Sequence, residues 1–100
     1  MSGRLPAPDC HALADIRTGI DDIDQQVIRL LGERFGYVKA AARFKHDADA
    51  VRAPQRLQQM LAQRREWATQ AGLSADVIEA LYRQLVDYFI AEELRHWQGS

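Results

Sequence analysis

Residues 13–45, LADIRTGIDDIDQQVIRLLGERFGYVKAAARFK, decide the fold of this chain. Apolar residues recur in this stretch at steps of three and four, which is the spacing of a coiled-coil-like helix. The first apolar stripe consists of Leu13, Ile16, Ile20, Ile23, Val27, Leu30, Tyr37, Ala41 and Phe44. A second stripe runs beside it and consists of Ile28, Leu31, Phe35, Val38 and Ala42. Two stripes predict a helix that packs against more than one neighbour.

The length of this first helix predicts a second copy of the chain. We place the helix at about residues 11–45, and the 33-residue stretch quoted above extends for roughly 50 Å. A compact chain of 100 residues has a radius of gyration of only about 13 Å. Because the helix reaches well beyond the core of one chain, another surface must cover the overhang, and a second copy can supply it. We therefore predict an intertwined homodimer.

Turn-forming residues divide the rest of the chain. Pro54 suits the first position of a second helix at about residues 54–71, and Gly72 suits the stop that follows it. Ser74 is a suitable N-cap for a third helix at about residues 75–97. No segment shows the alternation with a period of two that is typical of strands. The sequence therefore predicts an all-α fold with three helices per chain, of which the N-terminal one is the longest.

Two segments lie outside the predicted helices. Residues 46–53 form a polar, alanine-rich connection, and residues 1–10 form a loose N-terminal arm that contains Pro6 and Pro8. We interpret the connection as a flexible lid that becomes ordered when a ligand binds beside it. The chain as a whole, residues 1–100, is interpreted as a single domain.

Composition and charge argue against several classes of protein. Thirteen Lys and Arg residues against fourteen Asp and Glu residues give a net charge of −1, which argues against a dedicated nucleic-acid binder. No apolar run approaches the roughly 18 residues of a membrane span. Cys10 is the single cysteine, and residues 1–10 lack the apolar stretch of a signal peptide. We therefore expect a soluble cytoplasmic protein without an internal disulfide.

The sequence predicts no metal site. His46, Asp47 and Asp49 are the nearest approach to one, but they share a polar segment and lack a recognised ligand spacing. There is also no glycine-rich phosphate loop and no pattern typical of a catalytic nucleophile.

Three charged residues fall on apolar stripes. Arg34 occupies a step of the first stripe, Lys45 is the next step of the second, and Glu93 lies four residues after Phe89 and four before Trp97. Each costs several kcal/mol if it is desolvated without a partner. They can reach solvent at the edge of the core, pair with one another, or bind a ligand.

The spacing of the cationic residues favours an anion. Arg34 and Lys45 are eleven residues apart, which places them roughly 16 Å apart near one helix face, where they can hold a small organic carboxylate between them. Arg17 lies about 25 Å further back along the helix and cannot grip the same ligand within one chain. In an antiparallel dimer the Arg17 of a second copy can reach Arg34, although Arg17 by itself is better explained as a solvated surface residue.

Four segments of the chain resemble the all-α chorismate mutase family, and in particular its isochorismate pyruvate-lyase branch, the salicylate-forming enzymes of siderophore biosynthesis. The segments are ADIRTGIDDID at 14–24, GERFGYVKAAARFK at 32–45, APQRLQQMLAQRREWA at 53–68 and LVDYFIAEELRHW at 85–97. The resemblance covers almost the whole chain, and the spacing of Arg17, Arg34 and Lys45 is similar to that of the family.

The resemblance implies an intertwined dimer of three-helix chains with two equivalent active sites. It implies that Arg34 and Lys45 of one chain, with Arg17 of the other, bind the two carboxylates and the enol ether of the substrate. The implied reaction is a concerted pericyclic step, in which isochorismate loses pyruvate or chorismate rearranges to prephenate. Such a step needs no cofactor and no covalent intermediate, so Lys45 would stabilise charge on the breaking C–O bond while the arginines hold the reactive conformer.

Glu93 departs from the pattern of the lyase branch, where glutamine is common at this position and can donate a hydrogen bond to the ether oxygen. An ionised Glu93 can only accept, so it must be protonated in order to donate. Burial favours the protonated form, whereas a neighbouring Lys45 favours the ionised form. We therefore predict that activity falls as the pH rises.

Three functions remain open at this stage. The first is an isochorismate pyruvate lyase with some chorismate mutase activity. The second is primarily a chorismate mutase of aromatic amino-acid biosynthesis, which the glutamate at position 93 favours. The third is a non-catalytic helical dimer that binds a partner.

Overall fold

A computed structural model describes residues 4–99 of the chain, with side chains as far as residue 96. These residues form a 3-10 turn at Ala7–Asp9 and four α-helices. The helices are α1 at Leu13–Ala42, α2 at Ala48–Arg52, α3 at Pro54–Gln70 and α4 at Ala75–Gly99. The described part of the chain contains no strand, which confirms the all-α prediction and the long N-terminal helix.

The start of helix α1 is stabilised by Asp15, whose side chain reaches back to the backbone amides just before the helix. The Asp15 carboxylate accepts hydrogen bonds from the backbone N–H groups of His11, at 2.9 Å, and Ala12, at 3.2 Å. The helix ends at Ala42, three residues before the predicted end. Phe44 and Lys45 then donate to carbonyls only three residues back, which tightens the chain into a turn and releases Lys45 from the helix.

The connection at residues 46–53 is not a plain loop, as the sequence analysis expected, but contains α2. Asp47 caps this five-residue helix, since its carboxylate accepts a hydrogen bond from the Ala50 N–H at 2.8 Å. Val51 is buried, and α2 packs against α4. The left-handed Ala53, with φ of 41°, ends α2 and precedes Pro54, the first residue of α3. The closure of this segment over a ligand stays a prediction.

Helices α3 and α4 form a helical hairpin, and the turn between them lies at the residues that the sequence predicted. Gly72 adopts the left-handed conformation, with φ of 79°, that a residue without Cβ adopts at little cost. Ser74 caps α4 by accepting a hydrogen bond from the Val77 N–H at 3.2 Å. The helices enclose a core of Met60, Leu61 and Val86, against which Leu57, Tyr82 and Ile90 pack.

A group of ion pairs also joins α3 to α4. Arg65 Nη1 lies 2.8 Å from Oδ1 of Asp76 and 2.8 Å from Oε1 of Glu79, and Arg83 Nη2 lies 2.8 Å from Oε2 of Glu79. Hydrogen bonds from Arg83 and then from Arg65 lower the pKa of Glu79 below its ordinary value. Hydrogen bonds to Asp76 and then to Glu79 raise the pKa of Arg65.

The chain divides into two compact units, residues 1–36 and residues 37–100. In the first unit, an ion pair between Arg4 and Asp22 holds the N-terminal arm to α1, and Cys10 helps to line a cavity of about 180 Å³ between them. From residue 4 onwards, the arm thus has contacts with α1. Its residues 1–3, and the Trp97 side chain that the sequence assigned to the apolar face of α4, lie outside the described residues.

Candidate active site

Lys45 and Glu93, which the sequence predicts as catalytic residues, lie together in the second unit. Lys45 follows the last turn of α1, and Glu93 lies on α4 one turn beyond the buried Phe89. The distance between Lys45 Nζ and Glu93 Oε2 is 3.5 Å, so the two side chains form an ion pair. Glu93 is only 5% exposed, whereas about a quarter of the Lys45 side chain, 26%, is exposed. A charge on the apolar face of α4 is thus compensated by the lysine.

A backbone carbonyl gives the Lys45 ammonium a second partner. Lys45 Nζ donates a hydrogen bond to the Ala50 carbonyl of α2 at 3.2 Å. The ammonium therefore lies between a carboxylate of α4 and a carbonyl of α2, and it is held at a defined position while part of its side chain faces solvent. A cation in this setting can bind an anionic group or donate a hydrogen bond to an oxygen on which charge develops.

The carboxylate of Glu93 is incompletely paired. Its Oε2 atom is buried and receives no hydrogen bond from the described residues. The 3.5 Å separation from the Lys45 ammonium is longer than the roughly 2.7–2.9 Å of a charge-assisted hydrogen bond. An oxygen in this state can accept a stronger donor, or it can carry a proton and donate to a ligand.

Arg17 and Arg34 lie on the part of α1 that belongs to the first unit. Arg17 is exposed and Arg34 is half-buried. They are seventeen positions apart on the same helix, which corresponds to about 25 Å along the axis. The two arginines of one chain are therefore too far apart to bind the same small ligand, which agrees with the spacing in the sequence.

Lys45 does not lie on the same helix as Arg34, although the sequence predicted one helix for both residues. Because α1 ends at Ala42, Lys45 lies beyond the helix and its position is set by the turn and by its own contacts. The predicted 16 Å separation on one helix face was therefore based on a helix that is too long. The assignment of both residues to a substrate site stays a prediction.

Sequence reasoning did not find the role of the Ala50 carbonyl. The signal that was available is the three-residue step from Asp47 to Ala50, which is typical of an aspartate that caps a helix. On α3, Trp67 is 47% exposed, and the guanidinium of Arg64 lies 4.6 Å from the centre of its ring.

The described part of the chain contains neither a metal-ligand cluster nor a membrane-spanning helix. No group of three or more His, Cys, Asp and Glu residues among residues 4–99 could hold a metal ion. Within the same residues, no helix combines the length and the apolar composition of a membrane span.

Comparison with known proteins relates the chain to one family. The family described as chorismate mutase type II matches residues 16–94. A protein of Pseudomonas aeruginosa named isochorismate pyruvate lyase is 46% identical over 92 residues, which cover 92% of this chain and 91% of the relative. A protein of Haemophilus influenzae named T-protein is 37% identical over 84 residues, which cover 83% of this chain but only 22% of that longer relative. The chain therefore belongs to the chorismate mutase type II family.

Proposed function

We propose that this protein is an isochorismate pyruvate lyase, which releases pyruvate from isochorismate to give salicylate, and that it also converts chorismate to prephenate. The observation that carries the proposal is the Lys45 ammonium, held between Ala50 and Glu93 in a chain that resembles a named lyase over nearly its whole length. An enzyme of this kind would serve siderophore biosynthesis. The proposal treats residues 1–100 as one domain, and a cytoplasmic location accords with the single cysteine.

The proposed reaction suits a cationic group that binds and orients. In the lyase step the bond between the ring and the ether oxygen breaks while one ring hydrogen moves to the departing side chain, so that salicylate and pyruvate account for all atoms of isochorismate. Negative charge develops on the ether oxygen, and Lys45 is the residue proposed to stabilise it. Two protein oxygens hold the ammonium at a defined position before the substrate arrives.

A homodimer would complete the site by adding Arg17 of a second copy. Support for the dimer comes from α1, in which Ala42 is the only buried residue of the thirty. Its predicted first stripe is exposed: Leu13, Ile20, Leu30 and Tyr37 are 61%, 52%, 55% and 81% exposed. A contiguous apolar face of this kind is typical of a surface that another chain covers. In the proposed dimer, Arg34 and Lys45 of one chain and Arg17 of the other bind one substrate molecule.

A mainly mutase activity is the second candidate, and Glu93 favours it. The family description names chorismate mutase, and the glutamate departs from the glutamine that is common in the lyase branch. In either reaction Glu93 would act as a hydrogen-bond donor to the ether oxygen when it is protonated. The choice between the two reactions rests on the relative rates with two isomeric substrates.

The test is an assay of the purified protein with isochorismate and with chorismate in parallel. The assay is run at about pH 5, 6.5 and 8, so that the rates are compared on both sides of neutral pH. Salicylate fluorescence reports the lyase reaction, and loss of chorismate absorbance reports the mutase reaction. Salicylate formed faster than chorismate is consumed supports the lyase. Loss of chorismate alone assigns the chain to the mutases, and silence with both substrates at every pH leaves a non-catalytic helical dimer.

A further inference from the structure

We propose that α2 is a positioning element for the Lys45 ammonium, and that Asp47 and Val51 are the side chains through which it acts. This inference rests on the proposed function for the catalytic use of Lys45, but its geometric part does not. It gives a specific role to two residues of the connection at 46–53.

The Lys45 ammonium requires such an element because the backbone of Lys45 does little to fix the position of the side chain. It lies after the end of α1, outside any helix, and its side chain has four rotatable bonds. The contacts that hold the ammonium include the ion pair with Glu93 at 3.5 Å and the hydrogen bond to the Ala50 carbonyl at 3.2 Å. The carbonyl is the closer partner, so a movement of α2 changes the position of the charge.

Ala50 is held on both of its backbone groups. Its N–H donates to the carboxylate of Asp47 at 2.8 Å, while its C=O accepts from Lys45. Asp47 therefore holds Ala50 in place, and Ala50 in turn holds the ammonium of Lys45. A carboxylate cap on the first turn also has the sign that the helix dipole favours.

Val51 attaches α2 to the rest of the second unit. A helix of five residues is not stable by itself and depends on tertiary packing. Val51 is the buried residue of α2, at 4% exposure, and α4, the helix that carries Glu93, packs against α2. Helix α4 therefore supports the ammonium in two ways: it carries Glu93, and it packs against the helix that carries Ala50.

The main test compares three substitutions in α2 and at its cap. Asp47→Ala removes the cap, Asp47→Asn keeps an oxygen acceptor at the same place, and Asp49→Ala removes an equal charge from an exposed position of the same helix. We expect Asp47→Ala to lower kcat about tenfold with little change in KM, because a small displacement of a catalytic group has a large cost in rate. Asp47→Asn should restore most of kcat, and Asp49→Ala should stay within about twofold of the unaltered enzyme. Equal kcat in all four proteins overturns the proposal.

A second measurement does not depend on catalysis. The chain has two lysines, Lys39 and Lys45, so reductive methylation followed by peptide mass spectrometry gives the reactivity of Lys45 relative to an internal reference on α1. We expect Asp47→Ala and Val51→Ala to raise this ratio severalfold, Val51→Ile to change it little, and Asp49→Ala to leave it unchanged. Circular dichroism verifies that each protein is folded.

The two readouts separate this inference from the proposed function. A raised Lys45 reactivity in Asp47→Ala and Val51→Ala, in a protein that converts neither substrate, supports the positioning role while the proposed function fails. An active enzyme in which neither substitution changes the reactivity ratio or kcat overturns the positioning role while the function stands.

Discussion

At the scale of single residues, Lys45 and Glu93 compensate each other's charge. A carboxylate that is 5% exposed on an apolar helix face is costly unless a cation compensates it, and the lysine is that cation. The pairing is loose, since Glu93 Oε2 receives no hydrogen bond from the described residues. An arriving dianionic substrate would compete with Glu93 for the same ammonium. The proposed chemistry is therefore sensitive to whether Glu93 carries a proton.

Glu93→Gln is expected to raise kcat, because the glutamine amide can donate a hydrogen bond to the ether oxygen and carries no charge that repels the dianionic substrate. The measurement is kcat for both proteins under the same conditions, with Glu92→Gln on the same helix as the control. A kcat that is unchanged or lower in Glu93→Gln contradicts the hypothesis.

Lys45→Met is expected to lower kcat by about 10²–10³-fold, the usual effect of removing one donor that stabilises developing negative charge. The substitution also leaves the buried Glu93 carboxylate without its cation, so a fall in thermal stability should accompany the loss of rate. Lys39→Met, which changes the other lysine of the chain, serves as the control. Comparison of kcat for the two variants checks the assignment, which a loss of similar size in both would contradict.

At the scale of helices and turns, the sequence signals succeeded where a single residue type determines the backbone. Gly72 and Ser74 mark the turn before α4, and Pro54 marks the start of α3, because each has a strong local preference for its position. Helix α2 escaped prediction because five residues give no periodicity, and its stability depends on the burial of Val51 against a distant part of the chain. The Ala50 contact escaped for the same reason.

The ion pairs between α3 and α4 predict a loss of stability in acid. Because Arg83 and Arg65 lower the pKa of Glu79 in the folded state, its contribution to stability is present above its ordinary pKa of about 4.3 and is lost as the pH falls through the lowered value. Glu79→Gln should therefore lower the Tm by a small amount at pH 7, and the difference from the unaltered protein should shrink below pH ~4.3. Thermal unfolding from neutral to acid pH checks this, with Glu66→Gln on the exposed face of α3 as the control. A Tm difference that grows in acid would have the wrong sign.

At the scale of the whole molecule, the site was predictable in part only. Spacing along the sequence predicted Arg34, Lys45 and Glu93 as charges on apolar stripes, although Lys45 lies beyond the end of α1, and the helix length predicted a second chain. The pairing of Lys45 with Glu93 connects positions 48 residues apart, and no local pattern determines a contact between such distant residues. The apolar face of α1 is exposed, and this exposure supports the proposed dimer.

Complementation between two inactive variants tests the shared site. Arg17→Ala and Arg34→Ala should each abolish most activity as homodimers, because every site then lacks one arginine. In the heterodimer, one site combines the intact Arg34 of the first variant with the intact Arg17 of the second, and the other site lacks both. Random pairing in a 1:1 mixture makes half of the dimers mixed, so activity should recover to about a quarter of that of the unaltered enzyme. If both arginines act within one chain, no pairing restores a complete site and the mixture stays inactive. Coexpression with two affinity tags isolates the heterodimer, whose activity should then be about half, and size-exclusion chromatography of each variant verifies that the substitutions leave the assembly intact.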